Sequence, residues 1–297
     1  MFRLAHLSDP HLPLPPAAWG ALMGKRLTGY LSWQHKRRYI HLPQAREALR
    51  GDILANGRDH IALTGDLSNI SLPEEFDRAR DWLPSLGSPE NVSLVPGNHD
   101  AYVPVPWPTG LGKWAPYMCG DGHGEVRFPY MRRRGPIALI GLSTAQPKPP
   151  FMATGTLGAA QIEAAAALLE ASAREKLFRV VLIHHPPHRG GAPWRKRLTD
   201  GADFRAMLAR AGAELVLHGH MHRTSLGRIG AIAVLGAASA SAAIDSKYGR
   251  AQYHLIDIDG APGHWHADIQ LRELADGQQG CALVGAYRLN WPISVAN

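Results

Sequence analysis

Cysteine is nearly absent: Cys119 and Cys281 are the only two in 297 residues. Two thiols cannot build the multi-bridge framework of a small secreted domain or a cysteine metal cluster. Long apolar runs are also missing. The most apolar stretch, "IGAIAVLGAASASAAI" from Ile229, is too short and too diluted with Gly, Ala and Ser to span a bilayer. The opening "MFRLAHLSDPH" has no apolar segment followed by a small-residue cleavage site, so no secretory leader is expected. A cytoplasmic location follows, with peripheral contact to the inner membrane surface left open. No low-complexity tract interrupts a composition of 45% hydrophobic and 19% charged residues, which excludes extended disorder. Acidic residues are the minority charge, 25 against 32 Lys and Arg, for a formal net charge of +7. That balance favours anionic partners such as phosphates, nucleic acid or an anionic membrane.

What the chain does have is a series of short apolar runs, each ending in polar residues: "FRLAHLSD" from Phe2, "HIALTGD" from His60, "VSLVPGNHD" from Val92, "IALIGL" from Ile137, "RVVLIHH" from Arg179 and "ELVLHGH" from Glu214. Runs of this length bounded by Gly or Pro read as strands buried on both faces. Helical patterns fall between them, in "EEFDRARDWL", in "AAQIEAAAALLEASARE" and in "DFRAMLARAG", whose Gly212 suits a C-cap. Alternation of this kind predicts an α/β fold with a largely buried sheet. Near the end "AIAVLGAASA", "AQYHLIDIDG" and "GHWHADIQLREL" read as strands completing a second sheet packed on the first. No repeat or long linker divides the chain, so a single domain over residues 1–297 is expected. Residues 13–52 interrupt the rhythm. Trp19, Leu22, Met23, Arg26, Leu27, Tyr30 and Leu31 follow helical spacing beside Lys25, Lys36, Arg37 and Arg38. This insertion is either a helix packed on the core or a basic, aromatic lid at a membrane surface.

The polar ends of the runs carry the chemistry. Asp9 and His11 follow the first run, Asp66 the second, Asn98, His99 and Asp100 the third, His184 and His185 the fifth, and His220 and His222 the sixth. Along an extended strand alternate residues face the same way, so Asp9 with His11, and His220 with His222, could each reach one metal. All fall at the C-terminal edge of a strand, where open α/β sheets bind ligands. Carboxylates, imidazoles and one amide oxygen suit Mn²⁺, Fe²⁺ or Zn²⁺. Two such ions roughly 3.5–4 Å apart can clamp the attacking and leaving oxygens of a phosphoryl displacement, with Asp66 as the natural bridge.

In this order, Asp9-x-His11, Gly65-Asp66, Gly97-Asn98-His99-Asp100, His184 and Gly219-His220-Met221-His222 resemble the calcineurin-like metallophosphoesterases over roughly residues 4–223. The resemblance implies a four-layer fold, a two-sheet β-sandwich flanked by helices, and two divalent metal ions. Asp9, His11, Asp66 and His222 would hold one metal, and Asp66, Asn98, His184 and His220 the other. A metal-bridging hydroxide would attack phosphorus, His99 would serve the leaving oxygen as general acid, and Asp100 would orient a ligand or His99. The family's His-His-Pro pattern favours His184 over His185. His218 reads as structural and Asn69 as a helix cap before "LPEEF".

Two loops are candidates for substrate. After Pro187, Arg189, Trp194, Arg195, Lys196 and Arg197 could neutralise phosphate oxygens. After Asp100, Trp107 and Trp114 could form an apolar wall. The resemblance is strongest to bacterial cyclic-nucleotide and glycerophosphodiester phosphodiesterases, which implies a small or lipid-linked phosphodiester or pyrophosphate as substrate. A UDP-diacylglucosamine-type lipid pyrophosphatase, using the insertion as lid, is the alternative. A nuclease, prompted by the +7 charge, is the third reading. No aromatic-basic repeat or second nucleic-acid module supports it.

Overall fold

The computed structural model describes residues 1–17, 19–122, 124–247 and 249–291; the side chains of Trp19 and Gln278 also lie outside the described residues. The apolar runs form strands as their patterning requires: β1 (Phe2–Leu7), β2 (His60–Leu63), β3 (Val92–Leu94), β4 (Tyr130–Arg134), β5 (Ile137–Gly141), β6 (Phe178–Leu182) and β7 (Leu215–His218). Five more follow: β8 (Ser225–Ile229), β9 (Ile232–Gly236), β10 (Gln252–Ala261), β11 (His264–Leu274) and β12 (Cys281–Asn290). They make two six-stranded sheets, ordered β12-β11-β10-β1-β2-β3 and β4-β5-β6-β7-β9-β8. In the first, β1, β2 and β3 run parallel and β10 to β12 continue antiparallel from β1. In the second, β5, β6, β7 and β9 run parallel between antiparallel edges. The C-terminal strands therefore do not together complete a second sheet; they divide between the two. β10 and β11 extend the first sheet and β9 pairs with β7 in the second. Strand patterning reports burial, and it carries no information about which neighbour a strand pairs with.

Among the described residues the α-helices are α1 (Lys25–Ser32), α2 (Arg38–Ile40), α3 (Pro43–Ala55), α4 (Pro73–Trp82), α5 (Ala159–Arg174) and α6 (Gly201–Ala211). α6 stops at Gly212, whose φ of 74° is a backbone conformation that glycine adopts without strain. Leu169 of α5 and Phe204, Met207 and Leu208 of α6 pack on Ile140, Val181 and Val216 of the second sheet. Leu49 and Ile53 of α3 and Phe76 of α4 join a larger cluster containing Leu4, Ile61 and Leu94 of one sheet and Leu139, Val180 and Leu215 of the other.

The insertion is helical, but not as one regular rod. A five-residue π turn, Trp33–Arg37, joins α1 to α2; such turns are frequent at functional sites. Leu22, Tyr30 and Trp33 pack with Leu14, Ile70 and Leu72, and the Arg26 guanidinium donates to the carbonyls of Ile70 and Ser71 at 3.3 and 2.6 Å. Met23, Leu27 and Leu31 of the same periodic stripe are exposed. The stripe therefore divides between a core-facing and a solvent-facing side. Among the described residues no helix is long and apolar enough to cross a membrane.

Phe178 of β6 meets Trp265 of β11 and Trp291 edge-on, with ring centroids 5.7 and 4.9 Å apart, so one ring joins the two sheets. Phe178→Ala is expected to cost about 3–5 kcal/mol in urea unfolding. A loss below about 1 kcal/mol would show that this contact does not hold the sheets together.

Candidate metal centre

The candidate ligands lie just past the strands. β1 ends at Leu7 and β7 at His218, so Asp9, His11, His220 and His222 are not alternate residues of extended chain. Instead Asp9, His11, Asp66, His220 and His222 have φ of 52°, 35°, 57°, 71° and 54°. Non-glycine residues pay roughly 1–3 kcal/mol each for such backbone. The conformation persists because cross-links between loops over-determine it. The Asp9 N–H donates to the Gly65 carbonyl at 3.0 Å and the His11 N–H to the Asp66 carbonyl at 3.1 Å. The His220 N–H donates to Asp9 Oδ2 at 3.0 Å and the His99 N–H to Asp66 Oδ1 at 2.7 Å. Left-handed turns fold the chain back and bring side chains from both sheets to one point.

Among the described residues three groups have ligand atoms within 4.8 Å of one another: His11, His41 and His222 form one, and the other two are Asp9, His11, Asp66 and His222, and Asp66, His184 and His220. Asp66 belongs to both of the latter. Its Oδ2 lies 3.4 Å from His184 Nε2 and 3.9 Å from His11 Nε2. Asn98 Oδ1 is 3.2 Å from His184 Nε2, which places the amide oxygen with the group of Asp66, His184 and His220. All seven residues named from the sequence are thus brought together.

The donor set suits a cation. Three imidazoles each give one nitrogen to a carbonyl, which can only accept: His11 Nδ1 to Ser68 at 3.1 Å, His184 Nδ1 to Thr64 at 2.6 Å and His220 Nε2 to Lys196 at 3.0 Å. The opposite nitrogens of His11 and His184 face Asp66, the arrangement a metal-ligating histidine adopts. Asp9 Oδ1 is buried without a hydrogen bond and lies 3.2 Å from His222 Nε2, an orphaned acceptor of the kind a cation satisfies. Burial opposes ionisation of Asp66, yet His184, His99 and His11 hold it well below the usual carboxylate range.

Gly97 serves this centre by its size. A Cβ there would stand 2.2 Å from Asp66 Oδ1, so only glycine lets the Asn98 loop approach the shared carboxylate. Asp100 does not touch His99's ring. Its carboxylate accepts from the N–H groups of Asp66, Ser68 and Gly97 at 2.9, 2.8 and 2.9 Å, clamping the Asp66 loop to the Asn98 loop. His185 turns aside: its Nδ1 accepts from the Thr144 hydroxyl at 2.7 Å and its Nε2 donates to Ala153. His218 is buried with Nδ1 on the Gly219 carbonyl. Asn69 is not a helix cap. Leu72 holds that position, and Glu75 reaches back to the N–H groups of Asn69, Ile70 and Leu72.

His99 donates from Nδ1 to the Asn69 carbonyl at 2.6 Å, and Arg37 donates from Nη2 to His99 Nε2. Burial first, then the Arg37 charge, lower this imidazole to about 3. Of the paired His99 and Arg37, the positive charge therefore sits on Arg37. Arg37 makes no salt bridge among the described residues and lines, with Lys36, His41 and Lys196, a cavity of about 580 Å³ that contains Asp66, Asn98, His99, His220 and His222. Arg189 and Arg197 line a separate cavity, and Arg195 lies over the Trp194 ring. Trp114 is buried beneath α4, donating to the Phe76 carbonyl, and Trp107 lines a third cavity. Arg37 was visible in the sequence only as one of several basic residues, and His41 carried no signal, because nothing in "KRRYIH" fixes which side chains a π turn points inward.

Replacing Gly97 by Ala is expected to weaken divalent-cation binding at least about tenfold in chelator competition, comparable to losses on disturbing residues that orient metal ligands. Gly122→Ala, where a Cβ meets nothing within 4 Å, serves as control. Equal affinities would contradict the placement of the Asn98 loop against Asp66.

Known proteins resemble this chain in sequence and in fold. Residues 2–224 match the calcineurin-like phosphoesterase family. A Synechococcus protein described as a probable cyclic nucleotide phosphodiesterase is 27% identical over 269 residues, 90% of this chain and 91% of that protein. The fold is shared with a dimetal phosphatase of Danio rerio at 12% identity and TM-score 0.64, covering 98% of this chain and 99% of that one. It is also shared with a purple acid phosphatase from yellow lupin seeds at 11% identity and TM-score 0.61, covering 97% of this chain; this chain spans only 53% of that protein. The chain belongs to the calcineurin-like phosphoesterase family.

Proposed function

We propose that the protein hydrolyses a phosphodiester or pyrophosphate bond in the cavity beside Asp66, with two divalent cations held by the two ligand groups that contain Asp66. The observation that carries this reading is the position of Asp66 Oδ2, 3.4 Å from His184 Nε2 and 3.9 Å from His11 Nε2: one carboxylate oxygen serves both groups. Bound cations would polarise a phosphoryl oxygen and supply a water-derived nucleophile at neutral pH. The chain's own residues do the rest. Arg37 meets the non-bridging or leaving oxygen as a preformed donor, and its contact with His99 holds the guanidinium in place. His99 in turn is fixed by Asn69. In this account His99 positions Arg37, and the charge that develops on the leaving oxygen is met by the guanidinium. Lys36 and Lys196 add positive charge to the lining and steer an anionic substrate inward. A diester is favoured by the description of the Synechococcus relative.

The test is hydrolysis of bis(p-nitrophenyl) phosphate by protein loaded with Mn²⁺, Fe²⁺ or Zn²⁺. Metal-dependent turnover is expected, faster than that of the corresponding monoester. Arg37→Ala should lower kcat/KM about 10²–10³-fold, the usual loss for a preorganised charge-stabilising donor. An inert wild-type protein with every metal would sink the diesterase reading, and full activity in Arg37→Ala would remove Arg37 from it.

A second reading, a lipid-linked substrate taken at a membrane surface, is supported by the insertion. Met23, Leu27 and Leu31, at four-residue spacing, are exposed, and the same segment reaches the cavity through Lys36, Arg37 and Tyr39. Interfacial helices bury such a face in anionic lipid. The wild-type protein is expected to co-sediment with vesicles containing phosphatidylglycerol, and Leu27→Asp with Leu31→Asp to abolish this. No sedimentation by wild type would contradict the reading.

A further inference from the structure

The insertion delivers a second residue to the centre that the motif pattern does not contain. His41 follows α2 and is fixed on both sides: its N–H donates to the Arg37 carbonyl at 2.9 Å, the Ala243 N–H to the Ile40 carbonyl at 2.8 Å and the Leu42 N–H to the Ser241 carbonyl at 2.8 Å. Its side chain is 8% exposed, and that exposure faces the cavity. The ring centroid lies 4.3 Å from that of His11 and 5.4 Å from that of His222. One nitrogen each of His11, His41 and His222 falls within 4.8 Å of the others.

His41 Nδ1 is engaged on the side away from the centre, 2.9 Å from the Ser241 hydroxyl, beside Ser239, which donates its own hydroxyl to the Asp9 carbonyl at 2.7 Å. That contact leaves Nε2 as the ring nitrogen available to a ligand. His11 is arranged alike: its Nδ1 is spent on the Ser68 carbonyl and its Nε2 lies 3.4 Å from His222 Nε2. Ring nitrogens of three histidines thus converge at one side of the centre, and gathered imidazoles are the donors that zinc and iron take.

We infer that His41 is a further ligand of the cation held by Asp9, His11, Asp66 and His222. The inference rests on the proposed metal centre and is independent of which ester is hydrolysed. Three imidazoles and two carboxylates shift this position toward Zn²⁺ or Fe²⁺ and away from Mn²⁺, which prefers oxygen donors. The consequence is a centre with two unlike positions, the first richer in imidazole than the second. The segment from Lys25 to His41 then reports on metal occupancy as well as lining the cavity.

The direct test is the zinc-edge anomalous structure of the full-length wild-type protein, which needs no variant to fold. His41 Nε2 is expected at about 2.0–2.1 Å from one zinc. A separation beyond about 3 Å, with zinc bound by the other residues, overturns the inference while leaving the metal centre and its chemistry intact. In solution, His41→Ala should lower Zn²⁺ affinity at one of two sites at least about tenfold, change Mn²⁺ affinity much less, and alter the visible spectrum of the Co²⁺-substituted protein. Circular dichroism confirms that the variant is folded. Zn²⁺ affinity within about twofold of wild type with an unchanged Co²⁺ spectrum also overturns it.

Discussion

The rest of the site hangs on a single shared carboxylate. Asp66 offers one oxygen to the His99 N–H and aims the other between His184 and His11, so loops from two sheets are organised around one group. A buried carboxylate among imidazoles is costly unless its charge is met. The surrounding histidines keep it ionised at the expense of burial, and the clamp that Asp100 places on the backbone of Asp66, Ser68 and Gly97 holds the approach. Burial and the Asp66 charge in turn raise Asp100, to about 7. The two carboxylates are placed so that one faces the centre while the other binds backbone.

The fold supplies the place and the loops supply the strain. Parallel strands β1, β2 and β3 in one sheet and β6 and β7 in the other end at the same side of the sandwich. Each then turns through left-handed or tightly packed backbone instead of leaving as ordinary loop. Residues held in such conformations give up roughly 1–3 kcal/mol apiece. A cation gathered by the ligands they present would return part of that through binding to the folded state alone.

Much of this was legible in the sequence. Each apolar run became a strand because continuous burial leaves an unmistakable pattern, and each polar terminus fell at the edge where parallel strands end. The seven ligand candidates lie together at that edge. What stayed hidden was of three kinds. Pairing between strands is invisible to burial patterning, which does not show that β10 and β11 join β1 in the first sheet. Backbone conformation is hidden too: Asp-Pro-His has the pattern of extended chain, while Asp9 and His11 have positive φ. Side-chain direction inside the insertion could not be read either. A π turn at Trp33–Arg37 breaks the 3.6-residue period, and the contributions of Arg37 and His41 follow from that break. Arg189 and Arg197, which follow His184 in sequence, by contrast line a different cavity.

The central claim is that Asp66 joins two cation positions in one centre. It is tested most directly by counting bound metal in gel-filtered protein by inductively coupled plasma mass spectrometry, for wild type and Asp66→Asn. The account predicts about two equivalents per chain in the wild type, in line with two-metal phosphoesterase chemistry, and less than one in the variant, since both positions lose the same oxygen. One equivalent or none in the wild type, or two retained in Asp66→Asn, would contradict it.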